Sequence, residues 1–184
     1  MILRSIGVLA LLIFGLSLKA QINIQWEARM DGAGSFIDQA EDMELDASGN
    51  TYVTGSSYSG SSYQILTVKY DADGDEVWRA EYGGSGIDEG HAIALDSNGD
   101  VIVTGSRFVS GTDWDIVTLK YNGTSGTEIW SVINPGTSEF DSGIDVAVDG
   151  SDNIIVAGSR TGGPGDVDYL TLKYNSSGGF IWAR

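Results

Sequence analysis

The chain has no cysteine, two prolines and one histidine among its 184 residues. Without cysteine it has neither a thiol nucleophile nor a disulfide framework, so packing must hold the fold together. The single histidine, His91, cannot by itself build a Ser-His-Asp triad or a histidine-based metal site. No stretch after the N-terminus is apolar over the roughly 20 residues that a bilayer requires. We therefore predict no enzyme activity, no cofactor and no later membrane span.

Basic residues are also scarce. Ten Lys and Arg stand against 26 Asp and Glu, which gives a formal net charge of −16. A surface this acidic repels nucleic acid and anionic membranes. Many of the acids fall in turns rich in Gly, Ser and Asn, where Asp is favoured for local hydrogen bonding. We interpret the charge as a source of solubility outside the cell rather than as a means of capturing cations.

Residues 1–20 have the features of a signal peptide. Arg4 supplies the positive charge, Ser5 to Leu18 form a largely apolar core, and Ala20 is a small residue before a predicted cleavage ahead of Gln21. The apolar core is short for a bilayer-spanning helix. We predict an exported protein, either secreted or on the outer cell surface, with a mature chain of residues 21–184.

The sequence does contain a repeat. Tryptophans stand 52 residues apart, at Trp26, Trp78, Trp130 and Trp182. Between them recur a first Asp, a second Asp, a Gly-Ser pair and a Lys-Tyr pair. In chain order these begin at Asp38, Asp46, Gly55 and Lys69, at Asp88, Asp96, Gly105 and Lys120, and at Asp141, Asp149, Gly158 and Lys173. Such a fixed period indicates structural units that must stack on their neighbours.

Each unit is predicted to form four antiparallel strands, a to d. In the middle unit they run over His91–Asp96, Val101–Ser106, Asp115–Tyr121 and Glu128–Ile133, joined by turns that contain Gly or Asn. Strand c alternates apolar residues with mixed ones, which fits a sheet covered on both faces. The predicted fold is all-β, with β-propeller blades at about 27–78, 79–130 and 131–182.

The middle unit also resembles a known family. The string from Asp96 to Ser106 (DSNGDVIVTGS), followed by residues 115–121 (DIVTLKY) and by Glu128-Ile-Trp130, resembles the SBBP repeat of bacterial secreted and surface proteins, named for a seven-bladed β-propeller. The resemblance covers essentially the whole chain after the signal, in three copies. It implies a propeller with an interaction or adhesion role and no shared chemistry.

The two ends of the mature chain predict further blades. The segment from Ile22 to Arg29 matches strand d, and the chain closes on another strand d, Gly179 to Arg184. In a closed ring an N-terminal strand d completes the last blade, yet here the last blade has its own. Because propellers typically close with 4 to 8 blades, we expect a larger ring, completed by blades of the same chain or of another chain.

Residues that recur in every unit are interpreted as packing elements. Lysines 69, 120 and 173 lie on the mixed face of strand c, where burial requires a partner, and the first Asp of each unit is the expected one. The acidic turn from Asp71 to Glu76 could attract calcium. The matching turns of the other units lack these acids, so we favour a plain hairpin turn, and no metal residue is predicted.

Ligand contacts are expected where the copies differ, in the b–c and d–a loops at one end of the sheets. The candidate residues are Trp114, Tyr63, Arg107 and Arg160. Trp114 is the one tryptophan outside the periodic set, and a loop aromatic can stack on a sugar or anchor a protein. The competing interpretation is that Trp114 covers a blade edge. Three functions stay open: an interaction scaffold, a carbohydrate-binding module and an accessory region of a larger exported hydrolase.

Overall fold

A computed structural model describes residues 25–32, 36–84, 86–109, 113–136, 140–163 and 165–184. Within these ranges the protein contains β-strands and no helix, so no described helix could cross a membrane. The predicted all-β class is confirmed. The predicted signal peptide, residues 1–20, lies outside the described residues.

Twelve strands in the described ranges form three four-stranded sheets. The first holds β1 (Gln39–Leu45), β2 (Thr51–Tyr58), β3 (Tyr63–Tyr70) and β4 (Glu76–Tyr82); the second holds β5 (Asp88–Leu95), β6 (Val101–Val109), β7 (Asp113–Tyr121) and β8 (Glu128–Asn134); the third holds β9 (Ser142–Val148), β10 (Ile154–Gly163), β11 (Asp166–Tyr174) and β12 (Phe180–Ala183). Each sheet is an antiparallel meander in chain order, so its strands correspond to strands a to d. The three predicted blades are therefore present.

A bulge in strand a explains the glycine of each Gly-Ser pair. Strand a of the second sheet has one extra residue, His91, opposite the bond between Thr104 and Gly105. The backbone of strand a there approaches strand b so closely that a Cβ on Gly105 would lie 1.9 Å from the carbonyl oxygen of Glu89. Only glycine permits this approach. The other two sheets carry the same bulge at Glu41 and Ile144.

The sheets stack face to face in chain order. We call the side that carries Val53, Leu66 and Val68 the front face of the first sheet, and the side that carries Tyr52 and Ile65 its back face; the names extend to the equivalent positions of the other sheets. The back face of the first sheet packs on the front face of the second, and the second packs on the third in the same way. Strand a of each later sheet makes the main contacts with the preceding sheet. The sheets thus converge at strand a, as propeller blades do around an axis.

The periodic tryptophans join consecutive sheets. The first three lie against the glycine of the following c–d turn, in the pairs Trp26–Gly74, Trp78–Gly126 and Trp130–Gly178. The indole nitrogen of Trp78 also donates a hydrogen bond to the carbonyl of Gly123, at 3.2 Å. The 52-residue spacing therefore reflects one contact that is repeated between neighbouring sheets.

The strand c lysines do not pair with the first aspartates, so that prediction is wrong. The ammonium nitrogen of Lys120 lies 2.6 Å from Oδ2 of Asp96, the second aspartate of its unit, and 3.5 Å from Asp100. Lys120 is opposite Ile102 in the antiparallel register, next to the a–b turn that begins at Asp96. The first aspartate lies at the other end of the sheet, out of reach.

The other two strand c lysines confirm this correction. Lys173 pairs with Asp149, the second aspartate of the third unit, at 2.8 Å. Lys69 instead donates a hydrogen bond to the carbonyl of Gly123 in the next unit, at 2.9 Å. None of the three binds the first aspartate of its own unit.

The N-terminal strand d is also not observed in the described part of its range. Residues 25–29 form no strand, and residues 22–24 lie outside the described part. Trp26 nevertheless occupies the position against Gly74 that the other tryptophans occupy in the following sheets. Met30 packs on the front face of the first sheet, beside Leu66 and Val68. The segment thus lies where an outer strand would, without a described strand c to pair with.

Candidate binding surface

The four predicted ligand-binding residues lie at one end of the stack, but in strands rather than loops. Tyr63 begins β3, Trp114 lies in β7, and Arg107 and Arg160 lie in β6 and β10. Strands b and c continue past the Gly-Ser pair as two-stranded ribbons, longer than predicted. The ribbons hold these side chains in a fixed register that a loop would not provide.

Trp114 is the centre of a group of three aromatic rings. It faces Phe108 across β6 and β7, with ring centroids 5.6 Å apart at an interplanar angle of 64°. Its other neighbour is Phe140, in the connection to the third sheet, at 5.4 Å. Trp114 is half-buried, whereas Phe140 is 49% exposed. We call Phe108, Trp114 and Phe140 the central aromatic cluster.

The central aromatic cluster also closes the junction between two sheets. The backbone carbonyl of Trp114 accepts a hydrogen bond from the amide of Asp141, at 2.8 Å. Trp114 is thus fixed through its backbone to the connection that leads into the third sheet. Its contact with Phe140 also makes it part of an apolar surface that is open to solvent.

A second group of rings lies at the same end of the first sheet. Tyr58 and Tyr63 form a cross-strand pair with centroids 5.3 Å apart, and Phe36 lies 4.0 Å from Tyr58. Phe36 is 57% exposed. We call Phe36, Tyr58 and Tyr63 the first aromatic cluster. The third sheet pairs Thr161 with Val167 at these positions and has no such cluster.

The two arginines are engaged by the first aspartates. Arg160 donates from Nε to Oδ2 of Asp141, at 2.8 Å. Nε of Arg107 lies 3.6 Å from Oδ1 of Asp88, and its Nη1 donates to the hydroxyl of Tyr82 in the preceding sheet, at 3.0 Å. Both carboxylates are fully buried. These contacts hold the ribbons in place, so we assign the arginines a positioning role beside the aromatic clusters.

The first aspartates differ in their electrostatics. Burial raises the pKa of Asp88, although the amide of Gly84 and the guanidinium of Arg107 act against it. In the first sheet the backbone amide of Gly32, with further hydrogen bonds, lowers the pKa of Asp38. The same sequence position is thus a buried carboxyl whose charged form is disfavoured in one sheet, and a partly buried acceptor of three hydrogen bonds in another.

The acidic turn of the first unit uses its leading carboxylate internally. Oδ1 of Asp71 accepts hydrogen bonds from the amides of Asp73 and Asp75, at 3.0 and 2.9 Å. Asn122 and Asn175 cap the equivalent turns in the same way. The geometry is that of a shared Asx turn. Among the described residues, no group of three or more His, Asp or Glu side chains is arranged to hold a metal ion.

A row of three side chains comes nearest to a catalytic arrangement. The hydroxyl of Ser142 lies 3.3 Å from Nδ1 of His91, and Nε2 of His91 lies 3.7 Å from Glu89. Nδ1 is also 2.8 Å from the carbonyl of Gly143, which can only accept. Nδ1 therefore carries a proton and cannot take one from Ser142, as a general base must. The hydroxyl of Ser142 is buried and bonded to Ser106.

Sequence reasoning missed three rings and two contacts between repeats. The phenylalanines at 36, 108 and 140 were not among the candidates, although the alternation of strand b continues through Phe108. Phe140 meets Trp114 from a different repeat, and Ser142 meets His91 in the same way. Aligning the repeats does not show which residues of neighbouring units come together.

Comparisons with known proteins describe the fold alone. No protein-family model matches the chain, and no curated protein matches it significantly in sequence. The chain is similar to a solved structure described as the crystal structure of the eukaryotic initiation factor, with a TM-score of 0.50 and 9% sequence identity. The match covers 86% of this chain and 34% of that chain, so this chain spans about a third of its length. This likeness supports the repeated all-β architecture.

Proposed function

We propose that the protein is a non-catalytic interaction scaffold built from propeller blades, with its ligand contacts at the two aromatic clusters. The observation that carries the proposal is that consecutive sheets present different aromatic groups at the same end. Each group includes a ring about half exposed, Phe36 in one and Phe140 in the other. Aromatic side chains at a partly solvated surface are typical anchors for partners.

The residues that recur in the repeat have other uses, which strengthens this assignment. Trp78 packs on the next sheet, Lys120 neutralises Asp96, and Gly105 permits the close approach of strand a. Such recurring residues serve packing and charge balance within the stack. The aromatic clusters vary from sheet to sheet at positions that no blade requires, as expected of residues that contact a ligand.

The setting proposed for this scaffold is outside the cell, secreted or on the surface. The features of a signal peptide at residues 1–20 and the acidic charge support it. The resemblance of the repeat to the SBBP family of bacterial secreted and surface proteins supports it as well. Partners within this proposal are a protein or a glycan, and further blades of the same or another chain.

A carbohydrate-binding module is the second candidate, because the central aromatic cluster offers adjoining rings on which a sugar could stack. An accessory role beside an exported hydrolase would use the same surface. The partial burial of Trp114 between Phe108 and Phe140 favours a protein partner, since it leaves less of the ring free to stack on a sugar.

The test compares Phe140→Ala and Trp114→Ala with Ile129→Ala, which changes an apolar residue of similar exposure on the outer strand β8 of the middle sheet. Each variant is examined on a glycan array and in a pull-down from the medium of the source cells, after near-ultraviolet circular dichroism confirms its fold. We expect both cluster variants to lose a partner that the control retains. Unchanged binding by Phe140→Ala and Trp114→Ala would overturn the proposal. If the partner lost by the cluster variants is a glycan, the result would favour the carbohydrate-binding module.

A further inference from the structure

The stack has one covered sheet and two open outer faces. At one position of strand a, Ile93 and Val146 are 4% and 7% exposed because a preceding sheet covers them, whereas the equivalent Met43 is 53% exposed. At one position of strand c on the opposite side, Ile65 is fully buried, whereas the equivalent Tyr169 is 80% exposed. Within the chain, a back face packs on a front face twice, between the first and second sheets and between the second and third. The front face of the first sheet and the back face of the third are the two surfaces of this kind that no sheet covers.

This exposure is specific to the faces. On the outer strand d, the equivalent residues Val77, Ile129 and Ile181 are 49%, 48% and 46% exposed. They are equally open in all three sheets, including the covered one. An apolar residue on strand d therefore belongs to the ordinary rim of a blade, whereas Met43 and Tyr169 are open because no neighbouring sheet is in place.

The open part of the front face is a groove of about 900 Å³ whose apolar lining includes Met43, Leu45 and Val53. Met30 of the N-terminal segment packs on the strand c side of this face, where Leu66 is buried. The open back face carries a shallower depression of about 490 Å³ beside Val167 and Tyr169. Apolar surfaces of this kind on a soluble protein mark sites of association. The internal interfaces show that a back face fits a front face of this repeat.

We propose that a second copy of the chain covers the open front face, with the back face of its third sheet packed on the first sheet of its neighbour. This arrangement continues the internal order of the stack and joins two different surfaces, so it is head-to-tail. Such contacts close into a ring or continue as an open chain, according to the rotation between copies. The inference is independent of the ligand proposed for the aromatic clusters.

The segment at residues 25–30 competes with this contact. Within the chain, Trp78 and Trp130 lie on the turn glycines of the next sheet, and Trp182 is the equivalent residue of the third sheet. In a head-to-tail pair Trp182 of the second copy would take the place against Gly74 that Trp26 occupies. Because residues 25–30 form no strand, Trp26 and Met30 are their main anchors there. Removing the Trp26 ring should therefore strengthen association.

Charge also affects the expected strength. Without Arg4 and Lys19 of the predicted signal peptide, each mature copy has 8 basic and 26 acidic residues and a formal charge of −18, so long-range repulsion opposes their approach. At 0.1 M salt this repulsion is largely screened beyond about 10 Å. Association should consequently increase with salt concentration, opposite to the behaviour of an interface held by ion pairs.

The experiment is sedimentation velocity on the full mature chain and on variants of exposed residues, which tolerate substitution. Met43→Arg blocks the front face, Tyr169→Arg blocks the back face, and Val77→Arg on the rim is the matched control. We expect the wild type and Val77→Arg to associate, and each face variant alone to associate more than about tenfold more weakly. An equimolar mixture of the two face variants should form a one-to-one dimer, because one intact face of each kind remains.

Each outcome separates the occupants of the face. Restored dimers in the mixture, together with tighter association of Trp26→Ala, would support the second copy as the occupant. A wild-type chain that stays monomeric in high salt would overturn the proposal. The occupant of the front face would then be a further blade, with residues 25–30 as its outer strand. Self-association of Tyr169→Arg alone would also overturn it, because that result indicates front-to-front pairing.

Discussion

The indole of Trp78 covers Gly126 of the following sheet so closely that a Cβ on that glycine would lie 2.7 Å from the ring. Gly126 also has a φ of 70°, in the left-handed region. Two separate requirements thus meet at one residue, a turn that favours glycine and a ring that leaves no space for a side chain. The contact links a local turn to the stacking of whole sheets.

Gly126→Ala should destabilise the protein by more than its backbone strain. The matched control is Gly99→Ala, which has a φ of 76° and no atom within 4 Å of the added Cβ. Gly99→Ala should cost about 1 kcal/mol for the left-handed backbone alone, and Gly126→Ala about 1 to 3 kcal/mol more for overpacking against Trp78. Urea unfolding measures both values. Equal costs for the two variants would show that the tryptophan contact does not hold the sheets together.

Lys120→Met should lower the free energy of unfolding by about 3 kcal/mol, because it leaves the buried carboxylate of Asp96 without its counter-charge. Only 6% of the Lys120 side chain and 1% of the Asp96 side chain are exposed. The comparison is Lys173→Met, whose pair with Asp149 is more exposed, at 22% and 33% of the two side chains; this variant should cost clearly less, because solvent screens the pair. Thermal unfolding of the two variants checks this difference. A larger loss for Lys173→Met would contradict the assignment, whereas neither change should affect ligand binding.

Asp149 and Asp88 predict opposite responses to acid. Hydrogen bonds from Lys173, and further ones from Asn153 and the amide of Ser151, lower the pKa of Asp149 well below 3.8. The ionised Asp149 therefore stabilises the fold above about pH 3.8, and this contribution is lost as the pH falls below that value. Burial raises the pKa of Asp88 above 3.8, so the cost of its charged form is relieved as the pH falls.

Melting temperatures measured from about pH 6 to about pH 2 test these two opposite dependences of stability on pH. The difference between the wild type and Asp149→Asn should narrow toward low pH. Relative to Asp88→Asn, the wild type should instead gain stability toward low pH. Parallel curves for the wild type and Asp149→Asn would show that the ion pair with Lys173 does not form in solution.

Tyr121→Phe should leave the protein equally stable or more stable by up to about 1 kcal/mol. The hydroxyl of Tyr121 is buried and has no hydrogen-bond partner among the described residues. Tyr52 is similarly buried, but its hydroxyl donates to Asp46 at 3.3 Å. Tyr52→Phe should therefore destabilise by about 1 kcal/mol. Denaturant midpoints compare the two, and a clear loss for Tyr121→Phe would reveal a partner for its hydroxyl.

The repeat made the architecture accessible from sequence. Each hairpin turn could be recognised in three copies of the same pattern. The number and order of the strands therefore followed from the turn residues and from the alternation of apolar and polar residues. The strand ends were harder to predict. Phe108 and Trp114 were assigned to the b–c loop, but they pair across a two-stranded ribbon that extends strands b and c. The family resemblance and the export signal stay predictions.

Relations between neighbouring sheets could not be predicted. Lys120 was assigned to Asp88 because both recur, yet recurrence does not say which end of a sheet a residue occupies. The antiparallel register decides this, and it places Asp96 beside the lysine. The contacts of Trp114 with Phe140 and of His91 with Ser142 depend on how one sheet lies on the next, which the pattern within a repeat does not encode.

Hydrogen exchange, resolved by residue, tests the central claim most directly, namely that the three sheets form one stack in which each sheet depends on its neighbours. At a concentration where the chain is monomeric, the amides of β6 and β7 should be the most protected, because their sheet is covered on both faces. Protection should fall toward the open front face of the first sheet and the open back face of the third. Equal protection of the three sheets, or greatest protection in an outer one, would contradict the stack.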